Sequence, residues 1–462
     1  MAAREEHRPR DTTQNLTEGP PTRRIIWFAV PLLLGNLFQQ VYSFTDAAVV
    51  GRLLGVEALA AVGATGSLHF LLFGFSWASS AGLTIPVARA FGAGDLPLMR
   101  RFVAAGVLVS TGVAVGIAGL GTACARPLLK LLNTPAEILD QAVTFLVISF
   151  GGAAVTVAFN YLSAVIRALG DSRTPLVFLI VACLLNALLV AVFVGLFHTG
   201  VGGAAAATLV AQGVSVALCL FLVARSMPIL RLGRADWHVS RAELGESART
   251  GLSMGFQMSV IAIGAVVLQY GVNGLGVDAV AAFTAGMRVD QIAATPLTSF
   301  GVAMSTYVAQ NRGAAQWRRI RIGVFRIALV VSGIAIGLGA IIIALANPLV
   351  RLFVSETEPE VLRLARQFLL VAGVLYLILA MLHLLRYSVQ ALGLTMAPNL
   401  SAICELVLRS VAGLVLIRQI GFLGAPLAGP LAWTGALIVI VPAWFMQRRR
   451  LIQKEAGGCQ VL

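Results

Sequence analysis

The chain is 462 residues long, 58% hydrophobic and only 12% charged, with a formal net charge of +14. At a mean hydropathy of +0.89 there is too little polar side chain to cover a soluble globule of this size, which excludes a water-soluble enzyme and indicates an all-α, multi-pass membrane protein. The basic excess is spread over loops and tails rather than gathered on one patch, so it argues for a lipid bilayer and against nucleic acid as the partner.

Residues 1–24, MAAREEHRPRDTTQNLTEGPPTRR, are polar and of mixed charge. They read as a disordered cytoplasmic tail, because a cleavable leader needs a short apolar centre. Apolar stretches long enough to cross a bilayer as a helix then follow at 26–50, 59–86, 102–123, 139–165, 175–197, 201–224, 250–273, 279–309, 323–345, 362–388, 399–420 and 424–446. Twelve transmembrane helices are expected. The positive residues alternate from loop to loop. Arg100, Arg101, Arg231, Arg318, Arg319 and the run Arg448 to Arg450 share a side with the tails, while Arg52, Arg126, Lys130, Arg351, Arg363 and Arg418 lie opposite. Arg288, Arg366 and Arg409 fall inside stretches. By the positive-inside rule both termini belong in the cytoplasm and the chain in the plasma membrane.

The two halves repeat one another. GVEALAA at 55–61 returns as GVDAVAA at 276–282, and Gly92-Ala93 returns as Gly313-Ala314 at the same offset of 221. Ala168-Leu169-Gly170 with Pro175 matches Ala391-Leu392-Gly393 with Pro398 at an offset of 223. The expected organisation is two pseudo-symmetric six-helix lobes, 25–224 and 250–446, joined by a cytoplasmic linker at 225–249 and followed by a cytoplasmic tail at 447–462. Six helices per copy, an even number, place both copies in the same orientation, an arrangement suited to two lobes rocking about a site at mid-membrane.

Polar residues inside the stretches mark candidate sites. Asn36, Gln39, Gln40, Ser43 and Asp46 fall within about a third of the circumference of one helix at about 100° per residue. A carboxylate in such a place is costly unless its face is wet or paired. Asp46 therefore either borders an aqueous cavity or sits at the interface, where it pairs with Arg52 or caps a neighbouring helix. The eighth stretch repeats the pattern with Thr284, Arg288, Gln291, Thr295 and Thr298. Asp290 stands about 200° from Arg288, so each needs a partner from another helix or from water, and Pro296 interrupts the backbone ladder just beyond them. Glu405 and Arg409 are spaced for an intrahelical ion pair. Asn160, Asn186, Gln257, Gln269 and Asn273 read as interhelical hydrogen-bonding groups, and His69 and His383 as packing residues. Met254, Met258, Met287 and Met304 could line an adaptable cavity or fill the core.

Cys124, Cys183, Cys219, Cys404 and Cys459 are scattered, without the spacing of a metal cage or a disulfide framework. The chain has no G-x-x-x-x-G-K-[ST] or H-E-x-x-H, so nucleotide hydrolysis and zinc proteolysis lack their markers. No enzyme activity, metal or cofactor is expected.

The runs PLLLGNLFQQVYSFTDAAVVGRLLGVEALAAVGATG, SAVIRALGDSRTPL, QNRGAA and QALGLTMAPNLSAICELVLRSVAG together resemble the multidrug and toxic compound extrusion (MATE) family over residues 25–446. The resemblance implies a monomeric antiporter of two V-shaped lobes that exports organic cations or other amphiphilic small molecules in exchange for H+ or Na+. It matches Asp46 to the first-helix carboxylate that belongs to the N-lobe ion-coupling site, and Asn186 to the fifth-helix asparagine. It also exposes departures: Val190 stands where that motif often carries an acid, and Ile261 and Met381 where some branches place acids. Asp46 is thus the one well-matched coupling acid, with Asn36, Gln39, Ser43, Asn186, Arg288 and Gln291 as cavity-lining candidates. Asp290, Glu405 and Arg409 remain as structural or C-lobe polar groups. Two rival functions are a flippase for a lipid-linked saccharide, which calls for a basic cavity, and an intramembrane enzyme using Asp46 and Asp290 as a pair.

Overall fold

In lipid a segment must satisfy its own backbone, so long apolar runs become helices. The computed structural model describes residues 15–132, 134–351 and 358–458, with side chains at all of these except 44–48, 56, 457 and 458. The first half contains α1 (Pro21–Leu54), α2 (Val56–Gly92), and α3 (Leu96–Gly116), which runs through a π turn at Ile117–Gly121 into α4 (Thr122–Leu131). A single crossing bent by 51° at Gly152 follows, made of α5 (Ala136–Gly151) and α6 (Ala153–Ala168). Next come α7 (Arg173–Val190), ending in a π turn at Ala191–Leu196, and α8 (Gly200–Ser226). The second half contains α9 (Arg241–Asn273), α10 (Val277–Gly313), α11 (Trp317–Ala344), the short α12 (Ala346–Arg351), and α13 (Pro359–Ala391). It closes with α14 (Met396–Val411), a π turn at Ala412–Leu416, α15 (Ile417–Ile420) and α16 (Gly424–Gly458).

Among the described residues ten helices are long and apolar enough to cross a membrane, or eleven with the bent pair. The longest of these, Met396–Ala456, has 61 residues, about three times the length one crossing needs. It reverses at Gly421, where φ is 64, and α14 packs back on α16. It therefore supplies two crossings, and the fold is an all-α bundle of twelve in two pseudo-symmetric lobes.

The duplication extends to the backbone. Gly55 and Gly276, 221 residues apart, have φ 85 and φ 98; Gly200 and Gly421, at the same offset, have φ 63 and φ 64. Gly170 and Gly393 pair in the same way, at φ 85 and φ 86. Gly55 is both the last cap of α1 and the first cap of α2. A side chain there would force an L-residue into a region it rarely adopts. The π turns at Ala191 and Ala412 also begin 221 residues apart.

The polar flanks differ from expectation. Residues 1–14 of the expected tail lie outside the described residues, but Leu16 and Thr17 are buried and α1 begins at Pro21. Leu16 is fully buried, its N–H donates to Gln310 Oε1 at 2.9 Å, and its carbonyl accepts from Arg319 at 3.1 Å. Composition concealed this, because one leucine among polar residues carries no periodic signal. The expected linker is helical from Arg241, where Ser240 and Glu243 form a capping box. Of the expected second tail, α16 takes in the part up to Gly458; there Leu451 is buried and Lys454 lies 4.7 Å from the centre of the Trp317 ring.

The lobes meet at the end that carries the termini. The second half of α2 lies antiparallel on the first half of α9: Leu83 meets Gly251, Phe75 meets Gly255, and Gly74 meets Met258. A Cβ at Gly92 would run into the Gln310 carbonyl, and one at Gly313 into the Arg89 carbonyl. Arg89 pairs with Glu246 at 2.6 Å and Arg101 with Glu243 at 2.7 Å, tying the same ends together. Beyond Gly74 and Met258 each helix returns to its own lobe. Phe73 and Leu68 join the Phe150 cluster, and Gly271 packs against Gly413.

Gly313→Leu is expected to destabilise this closed end by about 1–3 kcal/mol, the usual cost of overpacking. Spin labels on the exposed positions Ala93 and Arg318 will report longer distances in this variant than in the parent; an unchanged distribution would show that backbone contact does not hold the lobes together.

Candidate functional site: two lobe cavities and a buried ion-pair cluster

One cavity, ≈ 310 Å³, lies in the second lobe among α9, α10, α13, α14 and α16. Part of its lining is aromatic: Phe283 and Phe368 meet edge to face at 5.5 Å, and Trp433 lines the same space. Arg288, Asp290, Gln291 and Arg409 make the rest of it polar. Asp290 accepts a hydrogen bond from Tyr376 Oη of α13 at 2.8 Å, the partner from another helix that its position demands. Thr295 and Ser299 return their hydroxyls to the carbonyls of Gln291 and Thr295 near Pro296, where the proline denies the ladder one donor.

Behind Arg409 lies a buried cluster. Glu405 Oε1 accepts from Arg409 at 3.0 Å, the i,i+4 pair expected from spacing, and Oε2 accepts from Arg386 at 2.7 Å. Arg386 also donates to Ser401 Oγ at 3.0 Å. One carboxylate thus pairs with two guanidinium groups and offsets one of their two charges; Asp290 lies within electrostatic reach of Arg409 and offsets the other. The Nε atoms of Arg386 and Arg409 are buried without a hydrogen-bond partner among the described residues.

A smaller cavity, ≈ 70 Å³, lies in the first lobe between α1, α2, α6 and α7, with Val302 of α10 closing one side. Asn36 and Gln39 line it, and Asn36 Nδ2 reaches across the lobes to Ser299 Oγ at 2.9 Å. Arg167 lines it as well and also faces a second space of ≈ 20 Å³ at the seam, beside Met254 and Tyr387. The Arg167 side chain makes no hydrogen bond or ion pair with any described residue, whereas its carbonyl accepts from Gly170 at 2.9 Å.

Not every expected residue joins a cavity. Asn186 is buried between α7 and α8, where its Nδ2 donates to Thr208 Oγ1 at 2.9 Å, and it lines neither cavity. Its amide finds a nearer partner inside the lobe, the usual fate of a polar group between helices. Ser43 is exposed and returns its hydroxyl to the Gln39 carbonyl. The side chain of Asp46 lies outside the described residues; its backbone belongs to α1, one turn from Tyr42 and one turn from the fully buried Val50. Val190 packs in the same apolar cluster as Val50. His69 stacks on Phe73 at 4.5 Å, and His383 Nδ1 lies 3.1 Å from the Leu379 carbonyl. Gln257 donates across helices to Asn399 Oδ1 at 3.0 Å, whereas Gln269 donates within α9 to Asn273.

Arg386, Tyr376 and Arg167 escaped the sequence reading. Arg386 lies inside the stretch 362–388 and has a readable signal, a charge within an apolar run. Arg167 follows the stretch 139–165 and resembles an ordinary flanking charge. Tyr376, in a run of leucines and valines, has no signature distinguishing it from core.

Two lobes closed at one end, with a cavity of mixed polarity among the helices of each, define a two-lobed membrane transporter. The MatE family model matches residues 31–192 and 253–415, once in each lobe. The probable multidrug resistance protein YpnP of Bacillus subtilis is 31% identical over 82% of this chain and 84% of its own length. The FAD transporter of Shewanella oneidensis is 24% identical over 85% of this chain and 87% of its own. Among solved structures, MATE in complex with MaL6 superposes with a TM-score of 0.86 at 19% identity, covering 97% of this chain and 99% of that one. The chain belongs to the multidrug and toxic compound extrusion (MATE) family of efflux transporters.

Glu405→Gln would leave Arg386 and Arg409 facing a neutral group in a buried place, at an expected cost of about 3–5 kcal/mol. Asp290→Asn keeps an acceptor for Tyr376 and should cost within about 1 kcal/mol. Thermal unfolding of the detergent-solubilised variants checks this ordering.

Proposed function

We propose that the chain is a plasma-membrane antiporter that exports amphiphilic small molecules by alternating access, driven by H+ or Na+, and works as a monomer. The observation that carries this reading is the seal at the termini-bearing end, with a cavity of mixed polarity enclosed among the helices of each lobe. The basic residues at that end, Arg100, Arg101, Arg318, Arg319 and Arg448 among them, support a cytoplasmic placement under the positive-inside rule. In that orientation the conformation is outward-facing, and cargo leaves through the open end.

Asp46 is the proposed coupling residue. In this reading its carboxylate binds the driving cation in one state and is released from it in the other, so that cation and cargo exclude one another. One charge crossing 100 mV is worth about 2.3 kcal/mol, roughly fiftyfold in concentration ratio. A single ion per cycle therefore suffices for useful export. The position of Asp46 on α1, which crosses between the first-lobe cavity and α10, supports the assignment.

A second reading, transport of a lipid-linked saccharide, finds support in Arg167, a positive charge lining the first-lobe cavity, which suits a pyrophosphate. The family relatives with multidrug resistance names support the first reading.

The decisive measurement is transport in inverted membrane vesicles, with the pH and sodium gradients imposed separately and a panel of fluorescent amphiphiles of either charge. The parent should concentrate at least one of them under one gradient, and Asp46→Asn should bring the gradient-driven ratio from roughly fiftyfold towards one. Normal, gradient-dependent accumulation in that variant would remove Asp46 from the coupling role.

A further inference from the structure

We infer that the open groove where the start of α11 meets the end of α16 is a binding site for an anionic phospholipid, in the leaflet on the termini-bearing side. The groove has a volume of ≈ 700 Å³. Arg318, Arg319 and Arg326 of α11 and Lys454 of α16 line it, and Glu455 is the one acid among its lining residues.

The charges of the groove select an anion. Glu455 is already paired with Arg321, a neighbour on α11 that is not part of the lining. Arg319 gives its hydrogen bonds to the carbonyls of Leu16 and Glu18, at 3.1 Å and 2.9 Å, which satisfies donors without cancelling charge. Lys454 lies over the Trp317 ring, an attraction that likewise leaves its charge in place. Among the described residues Arg318, Arg326 and Lys454 form no ion pair. Even with Glu18 set against Arg319, five positive groups here, Arg318, Arg319, Arg321, Arg326 and Lys454, face two negative ones, Glu18 and Glu455. The side chains of residues 1–14 bring no net charge to offset this, since Arg4, Arg8 and Arg10 balance Glu5, Glu6 and Asp11. Forked guanidinium groups beside an ammonium suit a phosphate.

The helix surface below the groove says that the phosphate belongs to a lipid. At about 100° per residue, Arg318, Ile322, Phe325, Leu329 and Ile336 share one face of α11. Phe325, Leu329 and Ile336 are 65%, 61% and 62% exposed, on a helix long and apolar enough to cross a membrane. This stripe therefore meets acyl chains, and it starts at the groove, where Ile322 is part of the lining. Arg326 lies about 12 Å deeper than Arg318 along the axis and reaches the phosphate by extending its stem back towards the surface. Trp317 sits at headgroup level, as interfacial tryptophans do. A soluble phosphate would use the charges and leave the apolar track without a role. Because Arg319 also holds Leu16 and Glu18, a lipid phosphate beside it lies against the segment that seals the closed end.

The test uses the full-length protein in detergent, titrated with phosphatidylglycerol brominated in its acyl chains and, separately, with phosphatidylcholine carrying the same chains. Bromine quenches nearby indole emission, and the difference between the parent and Trp317→Phe isolates the signal of Trp317. Phosphatidylglycerol should bind about thirtyfold more tightly than phosphatidylcholine, which is what two basic residues near a charged lipid contribute at roughly fivefold each, and salt should shrink the preference. Arg318→Gln combined with Arg326→Gln should weaken phosphatidylglycerol about tenfold or more and leave phosphatidylcholine unchanged, which shows that the variant is folded. Lys454→Gln alone should weaken phosphatidylglycerol several-fold, and Arg318→Lys with Arg326→Lys should keep most of the preference. Glycerol 3-phosphate, a headgroup without chains, should not displace the lipid at equal concentration. Equal binding of the two lipids, or a preference that survives in both glutamine variants, would overturn the inference. Displacement by glycerol 3-phosphate would overturn it as well, and would assign the groove to a soluble phosphate.

Discussion

Where Gly82 and Gly92 of α2 lie on Thr250 of α9 and Gln310 of α10, and Gly313 of α10 lies on Arg89, the two lobes approach with no side chain between them. Lipid gives helices no hydrophobic reason to associate, so close van der Waals packing of small residues must do it. The pairs Arg89–Glu246 and Arg101–Glu243 sit at the same end, and Leu16 with its bonds to Gln310 and Arg319 seals beside them. These contacts are concentrated at one end of long helices. Further along, each helix is committed to its own lobe. Opening this end would have to break the glycine contacts, two ion pairs and the docked segment together, which makes the seam an all-or-none element suited to switching between two states.

The charged cluster of the second lobe obeys a different constraint. A lone carboxylate or guanidinium in this position would be costly, and Glu405 with two arginines is a compromise that leaves charge over. An apolar pair would be simpler if stability alone were at stake. Asp290, which lines the same cavity as Arg409 and lies within its electrostatic reach, offsets that remaining charge. Arg167 differs in the first lobe, with no carboxylate at all among the described residues lining its cavity.

The lobes were legible in the sequence because crossings need about 20 apolar residues and because GVEALAA and GVDAVAA preserve a backbone requirement, the left-handed glycine that opens each motif. The Glu405–Arg409 pair was legible because its spacing is local. Asp290 was legible as a group in need of a partner, but not its partner, since the pairing with Tyr376 depends on how α10 and α13 face each other. The same limit applies to Arg386, whose link to Glu405 spans two helices. Polar flanks were read by composition alone, which is blind to docking; that is why Leu16, the start of α9 and the end of α16 differ from expectation. Asn186 failed as a lining residue for a related reason, because residue type does not say which side of α7 holds the nearer partner.

The repeat clarifies how the two lobes could divide their work. At the offset of 221, Asn36 corresponds to Gln257, and both bond across helices, to Ser299 and Asn399. Beyond that position the copies part: Gln39, Ser43 and Asp46 correspond to Val260, Gly264 and Val267, so the polar stripe of α1 is erased on α9. In its place α10 carries Arg288 and Asp290, at positions where α2 has Ser67 and His69. Backbone symmetry has been kept at the left-handed glycines and π turns, while the charged side chains have moved to a different helix in each lobe. A symmetric pair of sites would bind the same species twice and give a driving ion no distinct place. If the chain exchanges two unlike ligands as proposed, separate placement would let each bias the same seam from its own lobe.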